Sequence, residues 1–175
     1  MILFSTLQDA IYDWAAGILG AVPVIWYHEN APRPTVPYVA LHLFTVRSVG
    51  VDAQLPPTHA GAIEVVGNRD FTLECQGIGL SSMDFLEKLK TSLERPTVQE
   101  SLREAAGICV VDRGAISDIS DLVDSRWEER NVMDLFFRFA QVDTDTPGVI
   151  EKAFIEKKVY DPEQNLIVTE NFIVP

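Results

Sequence analysis

Between Arg126 and Val142 the odd positions Met133, Leu135, Phe137 and Phe139 are large and apolar, with Asp134 and Arg138 between them. This is the two-residue period of a strand with one buried face. Val132, Phe136, Ala140 and Val142 lie on the even side. They predict partial cover for the second face and a central or near-central place in a sheet. The run has no break after Trp127, so an uninterrupted strand is expected, well beyond the ~5–6 residues usual in globular domains. Its charged beginning, Arg126 to Arg130, would project from the core. Such a strand suits a subunit that extends its sheet toward a neighbour, and a solvated loop leading into the strand is the plainer alternative.

Upstream, Leu3, Leu7, Ile11, Trp14, Ala15 and Ile18 are spaced three and four apart, which predicts an amphipathic helix over 2–19 stopped by Gly17 and Gly20. Asp9 and Asp13 fall on its solvated face. Val24 to Tyr27 reads as a short strand, and Pro32, Pro34 and Pro37 as a stiff extended connection. Tyr38–Val49 and Ile63–Val66 read as strands flanking a loop from Gly50 to Gly61. Gly67-Asn-Arg-Asp predicts a turn into a half-buried strand in which Phe71, Leu73 and Cys75 alternate with Thr72, Glu74 and Gln76. Ser81 with Asp84 resembles a capping box for a helix from Ser82 to Glu94, with a stripe of Phe85, Leu86, Leu89 and Leu93. Pro96 breaks it. Thr97 with Glu100 caps a short helix through Leu102 to Ala106, ended by Gly107.

Ile108 to Val111 predicts a brief strand and Asp112 to Ser125 an acidic loop, while Asp143 to Gly148 is a turn. Val149–Tyr160 and Leu166–Val174, joined by Asp161-Pro-Glu-Gln-Asn, read as a C-terminal hairpin. A lone hairpin is marginal in water. This one must lean on its own sheet or on an adjacent subunit.

The 175 residues allow one ordinary domain plus an appendage, and no apolar run approaches the ~20 residues needed to cross a bilayer. The start, Met-Ile-Leu-Phe, lacks the basic head of a secretory signal, so a cytoplasmic protein is expected, with no membrane partner. Cys75 and Cys109 sit in apolar strand-like runs and read as buried free thiols. A net charge of −12 excludes a protein that grips the phosphate backbone through a basic stripe. It leaves room for one that surrounds DNA, since a negative lining lets the duplex slide.

Candidate chemistry is sparse. His28, His42 and His59 fall in a turn, a strand and a loop, with no pair at metal-ligand spacing and no nucleophile partner. Gly77-Ile-Gly-Leu-Ser-Ser lacks the Gly-Lys-Ser/Thr of a phosphate loop and reads as a tight strand-to-helix turn. Asp112, Asp118, Asp121 and Asp124 lack the spacing and closing Glu of an EF-hand. No catalytic, cofactor or metal residues are assigned.

Four segments in order resemble the neck or tail terminator proteins of contractile-tailed bacteriophages. They are Val24-Ile-Trp-Tyr-His-Glu-Asn-Ala-Pro-Arg-Pro with Pro37-Tyr38, Gly67-Asn-Arg-Asp-Phe-Thr-Leu-Glu-Cys-Gln-Gly, Leu86 to Pro96, and Arg126-Trp-Glu-Glu-Arg-Asn-Val-Met-Asp-Leu. No cysteine, histidine or phosphate motif carries the likeness, which rests on order and spacing over roughly residues 1–150. The resemblance implies an α/β (α+β) fold, a mixed and mainly antiparallel sheet with helices packed on one face, over 1–147, with 148–175 as a C-terminal hairpin arm. It implies a non-enzymatic virion protein, assembled in the bacterial host cytoplasm as a ring, expected to be hexameric, at the neck. The ring would stop growth of the tail tube, meet sheath subunits and join the head connector, with DNA passing through its channel without specific binding.

The residues expected at the subunit interface are Arg126, Trp127, Glu128 and Arg130 on the long strand, with Phe154, Ile155, Tyr160, Leu166, Ile167, Phe172 and Ile173 on the hairpin. Two other readings compete. One is a head-completion or tail-tube subunit of similar fold. The other is a small hydrolase using His28 or His59 with Asp52 or Glu29, motivated only by the loop placement of these groups.

Overall fold

The computed structural model describes residues 4–28, 30, 32–123, 125–148 and 153–174, with the side chains of 153–155 and 172–174 outside the described set. The chain divides into two compact units, 1–54 with 65–143, and 55–64 with 144–175.

The first unit opens with helix α1 (Phe4–Leu19), which buries Leu7, Ala10, Ile11, Trp14, Ala15 and Leu19. Gly20 ends it by donating to the Ala16 carbonyl. Strand β1 (Val24–Trp26) runs parallel to β2 (Tyr38–Gln54), and β2 turns back antiparallel into β3 (Ile63–Ile78). Helices α2 (Ser82–Ser92) and α3 (Pro96–Ala106) follow, then β4 (Cys109–Asp118), the short β5 (Asp121–Val123) and β6 (Arg126–Glu128), and β7 (Arg130–Asp145). The main sheet has the order β1-β2-β3-β7-β4, which makes it a mainly antiparallel α+β fold. Bonds from Gly79 N to the Glu129 carbonyl and from Arg138 to Asp70 run in opposite chain directions, so β3 and β7 are antiparallel too. β7 lies one strand from the edge, as its two-sided apolar content implies.

One face of this sheet carries Val39, Leu41, Phe71, Leu73, Cys75, Met133, Leu135, Phe137 and Phe139 into a single core with Leu7, Ile11 and Trp14 of α1, Leu86 and Leu89 of α2, and Leu102 of α3. Trp14 Nε1 finds a buried partner in Ser92 Oγ at 3.0 Å, so the indole packs without an unsatisfied donor. On the opposite face a small second cluster forms from Tyr38, Ala40 and Ile78 with Ile25 against it. A cavity of about 350 Å³ separates that cluster from Pro32 and Arg33. The proline-rich connection lines this cavity over β2 and β3, whereas Phe136 and Ala140 on the even side of β7 stay exposed.

Several expected boundaries move, each for a local reason. Gly67-Asn-Arg-Asp is strand, not turn: Asn68, Arg69 and Asp70 pair with Val49, Ser48 and Arg47. Arg69 forms a bidentate ion pair with Asp52 (2.6 and 2.7 Å), and Asp70 is held by Arg138 (2.6 Å). Any side chain at Gly67 would collide with the Asp52 carboxylate, so this glycine serves close approach rather than a turn. The loop expected over Asp112–Ser125 is largely β4 and β5; bulges between Val110 and Asp112 and between Arg113 and Ile116 let the acidic stretch stay in register with β7. β7 likewise runs through Asp143 to Asp145, where a turn was expected. Cys75 is buried, and burial pushes its thiol well above the ordinary range, but Cys109 is exposed at the start of β4.

Neither expected capping box forms. Ser81 takes a left-handed φ of 65° and makes no side-chain cap, and α3 starts at Pro96 with Arg95 as its uncapped N-cap residue. Gly107 does end α3, in a left-handed conformation with its N–H on the Arg103 carbonyl. Among the described residues no helix is long and apolar enough to cross a membrane.

The second unit holds β8 (Ala153–Tyr160) and β9 (Leu166–Val174), antiparallel in a two-stranded sheet. Asp161 closes their turn by accepting from Asn165 N at 2.7 Å.

Candidate functional site

The strand expected to run unbroken from Trp127 is interrupted at Glu129, between β6 and β7. The reason lies far away in sequence. The Glu129 carbonyl accepts from Gly79 N at 2.8 Å, and its carboxylate accepts from Ser81 N (3.3 Å) and Ser82 Oγ (3.2 Å) at the N-terminus of α2. A carboxylate there satisfies orphan N–H groups and faces the positive end of the helix dipole. Asn131, 1% exposed, donates from Nδ2 to the same Ser82 Oγ at 2.8 Å. The N-terminus of α2 thus carries an anion from the chain itself, while Gly77 is required by the close approach of Ser82 and Gly79 by its φ of +95° against Val36 and Pro37.

Held by this anchor, Arg126, Trp127 and Glu128 turn away from the main sheet and pair with Val123, Leu122 and Asp121 of β5. Around them lies an open cavity of about 750 Å³ whose lining includes Arg33, Val36, Leu80, Val123, Trp127 and Arg130. Trp127 is 76% exposed and Leu80 79%. Arg130 is ion-paired to Glu128, and its backbone N–H donates to Ser120 Oγ at 3.1 Å. The four expected interface residues of this strand, Arg126, Trp127, Glu128 and Arg130, therefore line one cavity. The cavity combines exposed apolar side chains, Trp127, Leu80 and Val36, with the more buried Glu128–Arg130 ion pair.

In the second unit Tyr160, Leu166 and Ile167 are all more than half exposed. Phe154 stands opposite Ile173 and Ile155 opposite Phe172 in the backbone register, but these four side chains lie outside the described residues. Lys157–Glu170 and Lys158–Glu156 pairs flank the hairpin. One part of the expectation changes here. The extended backbone of β6 and β8 has partners in the same chain, β5 and β9. What remains uncovered is apolar side chain and the outer strand edges.

The described hydrolase residues of the first unit, His28 and Asp52, bond elsewhere, to His42 and Arg69. Asp52 is committed to Arg69, which holds its carboxyl below the usual carboxylate range, and Arg138 does the same for Asp70. His59 belongs to the other unit, and Glu29 lies outside the described residues. Asp112, Asp118 and Asp121 each accept a local backbone N–H, and Asp124 lies outside the described residues. His28 and His42 do meet, with Nε2 atoms 3.2 Å apart, although their sequence spacing suggests no pair. His28 lies just past the end of β1 and His42 one residue past the Trp26–Leu41 pair within β2, so the parallel register brings them side by side.

No curated protein sequence matches the chain. A solved cryo-EM structure of an extracellular contractile injection system, the PVC sheath/tube terminator in its extended state, is similar over 90% of this chain and 64% of its own, at 9% identity and a TM-score of 0.41. The chain thus spans 64% of that protein's length. The model of the phage neck terminator protein family matches residues 5–160, which takes in the whole main sheet and β8, and the chain belongs to that family.

Proposed function

We propose that the protein closes into a ring at the neck of a contractile-tailed phage, where it ends the tail tube, meets the sheath and receives the head connector. As a neck terminator it is a structural protein of the virion tail. The observation that carries the finer reading is the exposed apolar group of Trp127 and Val123 on the β5–β6 ribbon, with Leu80, Arg126 and Arg130 around the same cavity. Removing such surface from water is worth ~25 cal/mol per Å². An indole this exposed is an unspent contribution that a neighbouring copy would collect. The hairpin 148–175 acts as an arm onto the adjacent subunit, with Tyr160, Leu166 and Ile167 as its contacts. Six copies surround the channel; with a net charge of −12 per chain they let DNA slide through without gripping it. Assembly takes place in the host cytoplasm.

A reconstruction of the neck from virions tests this, together with complementation of a null phage by Trp127→Ala. We expect one ring of six at the tube end with Trp127 at the subunit boundary, and tubes of uncontrolled length without heads when the variant is supplied. Tubes of normal length carrying heads in the null phage would overturn the reading. A monomer in free solution would not, since closure of the ring on the tube needs no ring in solution.

A further inference from the structure

His28 follows β1 and His42 lies on β2, at the edge where the parallel ladder continues through Tyr27 N to the Leu41 carbonyl at 2.9 Å. Their Nε2 atoms stand 3.2 Å apart with ring planes at 89°. Tyr27 stacks on His42 (centroids 5.5 Å, 25°) and meets His28 edge-on at 5.2 Å, so one phenol ring braces both imidazoles. His28 is exposed and His42 half-buried, which leaves the pair open to solvent. Nothing in the assembly reading uses them.

Two imidazole nitrogens bound to one tetrahedral zinc at ~2.0–2.1 Å must lie about 3.3 Å from each other. The observed separation, which also serves a hydrogen bond between the two rings, matches that of two ligands on one ion. The surroundings favour a cation. Glu74 stands directly opposite His42 in the β2–β3 ladder, so its carboxylate shares that face, oriented by a 2.8 Å bond from Gln76 Nε2. The chain as a whole carries −12. Neutral imidazole suits zinc, copper and nickel rather than the oxygen-seeking magnesium and calcium.

We propose that His28 and His42 form a two-histidine chelate for a divalent transition metal of the zinc class. Among the described residues no group of three or more His, Cys, Asp or Glu gathers around a possible metal position, so water completes the shell. The site is therefore exchangeable and clips the edge strand to its neighbour rather than building the fold. The segment it closes contains Pro32, Pro34 and Pro37. Because the two nitrogens converge only in the folded chain, bound metal stabilises the native state by mass action.

Calorimetric titration of the untagged full chain with zinc chloride, paired with thermal melts with and without zinc, tests the site. We expect one saturable site per chain and a melting temperature that rises with zinc but not with magnesium. His28→Ala, in an exposed turn, should weaken zinc binding about tenfold or more while melting normally without metal. His42→Asn should do the same, and His28→Ala alone decides the matter if that variant misfolds. Cys109→Ser should bind as the parent does, which separates the pair from the exposed thiol. Absence of saturable zinc binding, binding unchanged in His28→Ala, or binding lost in Cys109→Ser would each overturn the proposal.

Discussion

Phe137 and Trp127 stand on either side of Glu129 in one stretch of sequence, and they meet opposite fates. Phe137 is 1% exposed, stacked on Phe71 at 5.2 Å and edge-on to Trp14 at 6.4 Å. Trp127 is 76% exposed on a ribbon of two short strands. Both are large aromatics in extended backbone, so residue type does not separate them. Position relative to one half-buried polar anchor does. Past Glu129 the chain is locked into the sheet and Phe137 and Phe139, on the helix-covered face, are consumed by folding, while Phe136 on the other face stays 37% exposed; before it, the chain pairs with β5 and its aromatic is left in solvent. The comparison yields a rule for this molecule: the helix-covered core lies on the Arg130 side of the anchor and an exposed indole on the Arg126 side.

The strongest way to break that rule is at the core end. Truncating Phe137 to Ala removes a ring packed on two sides, and we expect a loss of about 3–5 kcal/mol in chemical denaturation. A loss below about 1 kcal/mol would mean that the helix-covered face is not the core. The anchor itself comes next. Glu129→Ala strips the acceptor from Ser81 N and Ser82 Oγ. It should cost about 1–2 kcal/mol, as for loss of a helix cap. It should also speed amide exchange in the first turn of α2, a readout that a generic surface change would leave alone.

This anchor shows how far the sequence could be read. The alternation of Met133, Leu135, Phe137 and Phe139 made the strand, its buried face and its inner position legible, because those depend only on neighbours two residues away. The helix stripes and the stop at Gly107 were legible for the same reason. The cap on α2 was not, because Ser81 and Asp84 offered a local answer while the acting group, Glu129, arrives from the far end of the fold. Turn chemistry at Gly67-Asn-Arg-Asp was overridden in the same way: Arg69 and Asp70 gain Asp52 and Arg138 from other parts of the sheet, and those bonds hold the stretch extended. Arg126, Trp127, Glu128 and Arg130 lie on one cavity, but the backbone pairing of their strand with β5 was not legible because an acidic segment does not announce itself as strand.

A smaller effect separates the two faces of the sheet. Asp70, on the face away from the helices, is held below the usual carboxylate range, chiefly by its bonds from Arg138 and also by Arg47. A depressed carboxyl contributes stability that is fully present above its unfolded pKa of about 3.9 and is lost as pH falls through the lower folded value. The parent protein should therefore lose stability below about pH 4, and Asp70→Asn should flatten that part of the profile. Near neutral pH the same variant should cost on the order of 1 kcal/mol, discounted because the Arg138 side chain is 40% exposed. A parallel pair of profiles would show that the ion pair adds nothing to the sheet.

Trp127→Ala should have the smallest effect on folding and for that reason is the sharpest test of the comparison. An indole that touches mostly water gives up little when removed, so the denaturation midpoint should stay within about 0.5 kcal/mol of the parent. The fluorescence of this residue should report the same condition: its emission in the free chain should be red-shifted and readily quenched by iodide, and both properties should reverse when the chain joins a tail. If the truncation instead costs as much as the loss of Phe137, the ribbon belongs to the core of a single copy. The division at Glu129 would then mark only a bend in one continuous packing unit.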